Sequence, residues 1–274
     1  MSAARDIRLL LTDVDGTLVD QDKRLTDAAL AAARDLRQAG IGLAITSARP
    51  PRGLAMLVEP LGLTLPLAGF NGGVIARPDL SVVESHPIDA AAARAAAALM
   101  QGQGLDVWVY TETDWFVRDP AGPHVDREAW ILKFGPVVVT QFGDAQLSRA
   151  FKIVGVSDDH AKVAAAEREA QERLGPTVSA TRSEPHFLDV THAQATKGFV
   201  VAALAKQLGL DPSQVATIGD MPNDVLMFHQ SGFSIAMGNA SDTVKAQASV
   251  VTDSNHDDGF AKAVRRFLLG SRAA

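Results

Sequence analysis

The sequence has no cysteine among its 274 residues. This absence excludes disulfides, thiolate metal sites and thiol nucleophiles together. There is also no excess of positive charge, because 26 Lys and Arg face 32 Asp and Glu, for a formal net charge of -6. Without a broad basic surface, the protein is not expected to hold nucleic acid by its phosphates. Any anion that it binds must be held locally, by a metal ion, a lysine or backbone amides.

Long apolar runs are absent as well. No segment approaches the roughly 20 apolar residues that a membrane-spanning helix needs, and Ile7–Leu11 is too short for the apolar region of a signal peptide. We therefore expect no membrane partner, no nucleic-acid partner and a cytoplasmic location. What the chain does contain is 47% hydrophobic and 21% charged residues, which is enough for one or two globular domains with a sizeable core.

Both ends of the chain alternate short apolar runs with helix-forming segments, a pattern typical of a parallel sheet in an α/β fold. The middle differs, because paired aromatic runs around residues 107–118 predict a hairpin, and the runs 137–142, 151–156, 177–181 and 186–190 predict further strands. This pattern indicates an α+β module. The sequence therefore predicts a discontinuous domain formed by residues 1–82 and 190–274, with a second domain, residues 83–189, inserted into it.

Two carboxylates follow the first predicted strand, in Asp13-Val14-Asp15-Gly16-Thr17. They lie at the carboxyl edge of the sheet, where ligands of open α/β folds collect. Such a pair can bind a hard cation such as Mg²⁺, or provide a nucleophile and an acid/base group. An Asx turn or a helix cap is the structural alternative for this segment.

A second acidic segment, Gly219-Asp220-Met221-Pro222-Asn223-Asp224, follows the predicted strand 215–218. Asp220 can complete a metal site, and Asp224 can orient its ligands. A capped helix start with Pro222 in its first turn is the alternative, and it is compatible with such a site.

Two further residues are candidates for binding an anion. Ser47 follows the predicted strand 41–46 and offers a hydroxyl, although a capping serine would have the same place. Lys197 begins a predicted helix, where the helix dipole disfavours a cation. This mismatch suggests that Lys197 neutralises a bound phosphate; an ordinary surface lysine is the alternative.

In this order, the four segments resemble motifs I to IV of the haloacid dehalogenase (HAD) superfamily of aspartyl phosphotransferases. Phe70-Asn71-Gly72-Gly73, Ala236-Met237-Gly238-Asn239-Ala240 and the segment 253–259 are similar to further features of its Cof-type subfamily, IIB. The resemblance implies a Rossmann-like parallel sheet core. It also implies a C2-type cap domain between Ser47 and Lys197, which sets substrate specificity.

The resemblance also implies roles for the site residues. Asp13 would be the nucleophile, and Asp15 would protonate the leaving alcohol and later activate water. Mg²⁺ would be held by the Asp13 carboxylate, the Asp15 backbone carbonyl and Asp220, with Asp224 supporting these ligands from behind.

The phosphate and substrate contacts follow from the same resemblance. Ser47 and Lys197 would bind the phosphoryl oxygens, and the remaining substrate-contact candidates are Arg49, Asn71, Gly72 and Asn223. The Cof family usually has Thr-Gly-Arg where this chain has Ser47-Ala48-Arg49, and a register shift of one residue would make Thr46 the phosphate-binding hydroxyl instead. Weaker candidates in the cap are Arg182, Glu184 and His186.

The implied activity is Mg²⁺-dependent hydrolysis of small phosphomonoesters, sugar phosphates or similar metabolites, by a monomer or a homodimer. A phosphomutase with a similar cap and a non-catalytic sugar-phosphate sensor are the alternatives. A signalling receiver also uses an Asp near Mg²⁺, a hydroxyl and a lysine, but receivers are much shorter and carry no inserted module.

Overall fold

The structure, a computed structural model, describes residues 6–270. It divides into two compact units. The first contains residues up to 48, residues 54–83 and residues from 196 onward, and the second contains residues 49–53 and 84–195. The inserted unit therefore extends to 195 instead of the predicted 189, and it also includes the short segment 49–53. The predicted outer limits, residues 1 and 274, lie outside the described residues.

Strands and helices are numbered in chain order through both units. The strands are β1 (Leu9–Asp13), β2 (Gly42–Thr46), β3 (Leu67–Gly69), β4 (Val74–Ala76), β5 (Val82–Ser85), β6 (Asp106–Tyr110), β7 (Trp115–Val117), β8 (Val137–Val138), β9 (Lys152–Val156), β10 (Val178–Glu184), β11 (Phe187–His192), β12 (Val215–Gly219), β13 (Phe233–Ala236) and β14 (Val250–Val251). The α-helices are α1 (Asp27–Gln38), α2 (Ala55–Leu61), α3 (Ala90–Gly102), α4 (Val125–Leu132), α5 (Asp144–Leu147), α6 (His160–Arg173), α7 (Lys197–Leu208), α8 (Val225–Phe228), α9 (Asp242–Lys245) and α10 (Gly259–Ala263).

An eight-stranded sheet organises the first unit, in the order β14-β13-β12-β1-β2-β3-β4-β5. The strands from β14 to β3 are parallel, and β4 pairs antiparallel with β3. All five residues of β1 are buried, as expected for a central strand covered on both faces. Because the neighbours β12, β1 and β2 run in the same direction, the residues at their carboxyl ends lie along one edge of the sheet.

The helices of the first unit form where the sequence provides helix signals. Thr26 caps α1 by accepting a hydrogen bond from the Ala29 amide, and Thr196 caps α7 in the same way. Apolar residues of α7, including Val200, Val201 and Leu204, join Leu9 and Leu11 of β1 in one buried cluster. The first residue of α7, Lys197, is thereby held against the central strands.

The second unit has its own six-stranded sheet, in the order β10-β11-β9-β6-β7-β8. Pairing is antiparallel except between β7 and β8, which agrees with the predicted α+β module and its hairpin. Helices α3 and α6 pack on this sheet, and their alanines join residues such as Val107, Ile153 and Val190 in a separate buried cluster.

Two details of this unit differ from the sequence prediction. The predicted strand 137–142 is only the two-residue β8, and α4 and α5 were not predicted at all. Within residues 6–270, no helix has the length and the apolar character needed to cross a membrane.

Candidate active site

The carboxyl edge of the first sheet gathers the acidic segments singled out in the sequence. Asp13 is the last residue of β1, Ser47 follows β2, and Asp220 follows β12. All three are buried, with 4%, 1% and 8% of their surface exposed. Ionisable and polar groups at such depth need partners, because an unpaired buried charge is strongly unfavourable.

Lys197 supplies the central partner. Its ammonium group donates to Asp13 Oδ1 at 2.6 Å and to Asp224 Oδ1 at 2.5 Å. Lys197 is 2% exposed and Asp224 is fully buried. The structure therefore brings three of the predicted residues into one buried ion-pair network, and it excludes the surface-lysine alternative for Lys197.

Asp224 is held entirely by protein donors. Its Oδ1 accepts from Lys197, while its Oδ2 accepts from the backbone amides of Asp220 and Met221, both at 2.8 Å. These bonds fix the turn Pro222–Asp224, a short 3₁₀ helix that starts after β12. These three hydrogen bonds use most of the roughly four lone-pair sites of the carboxylate, so Asp224 is suited to orienting Asp220 and Lys197.

Burial and the neighbouring charges shift the pKa values of Asp13, Asp220 and Lys197. Burial raises the pKa of Asp13 well above its ordinary value, and the carboxylates of Asp224 and Asp220 add to the effect while Lys197 opposes it. Burial, followed by the Asp224 carboxylate, raises the pKa of Asp220 to about 6. For Lys197, burial lowers the pKa, but the charges of Asp13 and Asp224 outweigh it and the net pKa is raised. Lys197 therefore stays protonated, and the raised pKa values of Asp13 and Asp220 show that its single positive charge does not offset their burial and mutual repulsion.

The donor set fits a divalent metal ion. One carboxylate oxygen from each of Asp13, Asp220 and Asp224 lies within 4.8 Å of the others, in a buried group. When all three carboxyl groups are ionised, one ammonium leaves an excess of negative charge that a divalent cation would neutralise. Hard oxygen ligands of this kind suit Mg²⁺, Ca²⁺ or Mn²⁺ better than softer metals.

Asp15, in contrast, lies apart from this buried group. Its carboxylate forms an ion pair with Lys23 at 2.8 Å, and its side chain is 31% exposed. Its backbone carbonyl, the metal ligand that the resemblance implies, precedes Gly16 in the turn after β1. Asp13 and Asp15 therefore lie in two different environments, one buried and one partly exposed.

Both candidate hydroxyls lie at the end of β2. Thr46 is the β-ladder partner of Asp13, and its buried Oγ1 has no hydrogen-bond partner among residues 6–270. The backbone amide of Ser47 donates to the Ala68 carbonyl, and the Ser47 carbonyl accepts from the Asn71 amide. Ser47 and Thr46 therefore both remain candidates for the phosphate-binding hydroxyl.

Two of the predicted substrate residues contact each other. The Asn223 side-chain amide donates to Asn71 Oδ1 at 3.1 Å, and the buried Asn223 Oδ1 has no hydrogen-bond partner among the described residues. Gly72 is buried with φ +104°, and an added Cβ would lie 2.9 Å from the Thr196 carbonyl oxygen. Glycine at this position lets the 70–72 turn approach the start of α7, where Lys197 lies.

The remaining candidates belong to the second unit. Arg49 is buried there, and its guanidinium donates to the Ile131 carbonyl at 3.2 Å. Arg182 pairs with Glu167 at 2.8 Å. The Nε2 atom of His186 lies 3.3 Å from Oε2 of Glu184. These contacts show what each side chain does within the second unit, and the substrate role of all of them stays a prediction.

Two polar residues were not recognised in the sequence as part of the site. The Thr17 hydroxyl donates to Asp220 Oδ1 at 3.0 Å, and the Asn239 amide donates to Asp220 Oδ2 at 3.1 Å. Both belong to segments that the family resemblance includes, but the sequence carries no signal for these contacts, because the partners are about 200 and 20 positions apart.

Known proteins support the family resemblance. A family model described as haloacid dehalogenase-like hydrolase matches residues 10–264. The 5-amino-6-(5-phospho-D-ribitylamino)uracil phosphatase of Bacillus subtilis is 27% identical over 264 residues, which cover 96% of this chain and 97% of that protein.

Solved structures agree in fold. The crystal structure of a haloacid dehalogenase-like hydrolase from Bacteroides thetaiotaomicron superposes with a TM-score of 0.88 at 26% identity, covering 95% of this chain and 99% of that one. A sugar phosphatase of HAD subclass IIB has a TM-score of 0.81 at 23% identity, covering 95% and 98% of the two chains. With its fold, its cluster of acids and the family match over most of its length, the chain belongs to the haloacid dehalogenase-like hydrolase family and is a phosphatase of that family.

Proposed function

We propose that this protein hydrolyses small phosphomonoesters with hydroxyl-rich leaving groups, such as sugar or polyol phosphates, through an aspartyl phosphate on Asp13 and with the help of Mg²⁺. One observation carries the proposal: the buried Lys197 ammonium lies between Asp13 and Asp224, 2.6 Å from Asp13 Oδ1. An ammonium in this position supports an ionised, nucleophilic carboxylate and can also bind an incoming phosphate.

In the first half-reaction, an Asp13 carboxylate oxygen attacks phosphorus, and the bond from phosphorus to the leaving oxygen breaks. Asp15 gives its proton to that oxygen, so the alcohol leaves neutral. Lys197 and the hydroxyl of Ser47, or of Thr46, bind the phosphoryl oxygens. These groups act by positioning and by offsetting charge, which are the main contributions that proteins make to phosphoryl transfer.

In the second half-reaction, Asp15 takes a proton from water, and the water oxygen attacks phosphorus. The bond to Asp13 breaks, which restores the carboxylate and releases inorganic phosphate. The solvent access of the Asp15 side chain supports a group that exchanges protons with substrate and water.

Mg²⁺ would be held by the carboxylates of Asp13 and Asp220 and by the Asp15 backbone carbonyl. Asp224 would orient Asp220, because its Oδ2 accepts a hydrogen bond from the Asp220 backbone amide. When bound, Mg²⁺ supplies the positive charge that allows a phosphate dianion to approach a cluster of carboxylates.

The substrate class rests on two lines of support. The Asn223 Oδ1 is buried with no hydrogen-bond partner among the described residues, so it can accept from a substrate hydroxyl. In addition, the Bacillus subtilis relative acts on a phosphorylated ribityl chain, and the subclass IIB neighbour is a sugar phosphatase. Both substrates join phosphate to a polyhydroxylated carbon chain.

A phosphomonoester panel with detection of free phosphate tests the proposal. We expect the highest kcat/KM on sugar and polyol phosphates, loss of activity in EDTA, and recovery with added Mg²⁺. Asp13→Asn, which keeps the side-chain size, should fold and bind Mg²⁺ but show no turnover.

Three outcomes would contradict the proposal. Full activity in EDTA would show that the reaction needs no metal ion. Substantial turnover by Asp13→Asn would show that Asp13 is not the nucleophile. Phosphoryl return to a second substrate hydroxyl, dependent on a bisphosphate activator and without phosphate release, would indicate a phosphomutase.

A further inference from the structure

The Asp220 carboxylate is held from two sides. Its Oδ1 accepts from the Thr17 hydroxyl at 3.0 Å, and its Oδ2 accepts from the Asn239 side-chain amide at 3.1 Å. An ionised carboxylate offers about four lone-pair sites. Each oxygen of Asp220 can therefore accept one of these hydrogen bonds and still bind a metal ion. The two hydrogen bonds restrict rotation of the carboxylate and leave lone pairs on both oxygens free to bind a metal ion.

The orientation of the Asn239 amide is itself fixed. Its second amide proton is donated to the Gly16 carbonyl at 2.9 Å, and its Oδ1 accepts from the Asn255 backbone amide at 3.0 Å. A backbone carbonyl only accepts and a backbone amide only donates, so the nitrogen and oxygen of Asn239 cannot be interchanged here. All hydrogen-bonding groups of its side chain have partners, although Asn239 lies at the exposed surface.

The same contacts hold the turn that follows Asp13 and Asp15. Gly16 has φ +82°, and a Cβ at this position would lie 2.4 Å from Asp220 Oδ2, so the turn runs directly against the carboxylate. The Asn255 side chain donates to the Val19 carbonyl at 3.1 Å. Asn239 and Asn255 thus connect two loops late in the chain to the turn that carries Asp15.

We propose that Asn239 is a positioning residue for the metal site: with Thr17 it fixes both oxygens of Asp220, and through the Gly16 carbonyl it fixes the turn that contains Asp15. The inference rests on the proposed function, because it assigns Asn239 to the Mg²⁺ site of that reaction. Groups that orient metal ligands in this way are worth about 10- to 100-fold in metal affinity or activity.

The test measures Mg²⁺ binding directly, by isothermal titration calorimetry on the full-length, phosphate-free protein. The variants are Asn239→Ala and the near-isosteric Thr17→Val. Each should raise the Kd for Mg²⁺ by about 10- to 100-fold. Because Asn239 is exposed, its truncation opens no cavity in the core, so the melting temperature of the metal-free protein should change little.

Gln214→Ala is the matched control. The Gln214 side-chain amide also donates to a carboxylate, that of Asp6 at 2.9 Å, but in an exposed pair away from the acidic cluster. This variant should leave the Kd for Mg²⁺ unchanged. In assays with substrate, Asn239→Ala should need more Mg²⁺ for half-maximal rate and recover most of its kcat at saturating Mg²⁺, which a general loss of stability would not produce.

If folded Asn239→Ala and Thr17→Val both bind Mg²⁺ within twofold of the wild-type Kd, the inference is wrong. Should Asn239→Ala fail to fold, Asn239→Ser takes its place, because it also removes the amide that reaches Asp220 Oδ2 and keeps a polar surface side chain. A wild-type protein that neither binds Mg²⁺ nor releases phosphate would overturn the proposed function as well. A wild type that does both, with unaffected variants, would overturn the positioning role alone.

Discussion

Lys197 is the residue on which the charge balance of the site depends. Its ammonium faces Asp13 and Asp224 in an environment from which water is almost excluded. Removing one partner of a buried ion pair is far more costly than removing an exposed pair, because the remaining charge stays buried. Lys197 therefore has a structural role in the resting protein and, under the proposed function, a second role toward phosphate.

Lys197→Met should reduce kcat/KM by about 10²- to 10³-fold, the usual effect of removing one group that stabilises transition-state charge. Steady-state kinetics at saturating Mg²⁺ measure the effect, and circular dichroism verifies the fold. Lys262→Met is the control, since Lys262 also pairs with an aspartate, Asp253, but at the surface. A reduction below tenfold, about 1.4 kcal/mol, would show that Lys197 has only the structural role.

At this scale, sequence patterns predicted the residues with strong local context. Asp13 and Asp220 follow apolar strands, and Lys197 occupies an unfavourable place for a cation at a helix start. Thr17 and Asn239 were not predicted as Asp220 partners, because no local property of either segment specifies a hydrogen bond across the fold. Such contacts depend on the strand order β12-β1 and on the loop after β13, which only the assembled sheet determines.

The elements of the sheets were predictable where apolar runs are long and turns are marked. Helix α4 was missed because it follows Gly-Pro-His, and its preceding residue His124 has φ +63° and no side-chain cap. The predicted strand 137–142 shortens to β8 because its partner β7 has three residues, and pairing stops after Val138. A sequence pattern can indicate that a segment suits a strand, but the length of its partner sets how much of it pairs.

The turn between β10 and β11 brings histidines into contact. The rings of His186 and His124 are stacked with centroids 4.1 Å apart, and His160 lies further out at 6.5 Å. Burial, followed by the charge of His124, lowers the pKa of His186, while Glu184 opposes the shift. Burial, followed by the charge of His86, also lowers the pKa of His192, at the end of β11.

These shifts predict a pH-dependent stability of the β10–β11 hairpin. A histidine whose pKa is lower in the folded state than in the unfolded state binds protons less readily when folded, so low pH disfavours folding. The hairpin therefore has its full stability above the ordinary histidine pKa of about 6.5, and it becomes less stable as the pH falls below that value. Amide hydrogen exchange of residues 178–192, corrected for intrinsic rates, should therefore show weaker protection at about pH 5.5 than at about pH 7.5.

His186→Gln should reduce this difference in protection without removing it, because His192 still contributes. His229→Gln is the control: His229 is exposed in the first unit and contacts Gln247. Equal protection of the wild-type hairpin at the two pH values, or no change in the His186 variant, would show that the stacked histidines do not govern its stability.

The whole molecule consists of two units with separate buried clusters, one around α7 and β1 and one around α3, α6 and β9. The change from a parallel to an antiparallel pattern predicted this division from the sequence. The boundaries were less predictable, because β11 continues to His192 as part of the second sheet, beyond the expected limit of 189. The sequence prediction placed residues 49–53 in the first unit, within the range 1–82, whereas the structure groups them with the second.

The distribution of tryptophan makes the independence of the two units measurable. Trp108, Trp115 and Trp130 all lie in the second unit, whereas Asp13 and Asp220 lie in the first. Under the proposed function, Mg²⁺ binds only the native first unit and would stabilise it by mass action, by about 2.7 kcal/mol at 100 times the Kd. Because each unit has its own core, we expect Mg²⁺ to raise the urea midpoint of part of the far-ultraviolet circular dichroism signal while the midpoint from tryptophan fluorescence stays constant.

Asp220→Asn, which weakens the metal site, should cancel the shift. If the fluorescence midpoint rises in parallel with the circular dichroism midpoint, the two units unfold as one cooperative system and the insertion is not energetically independent.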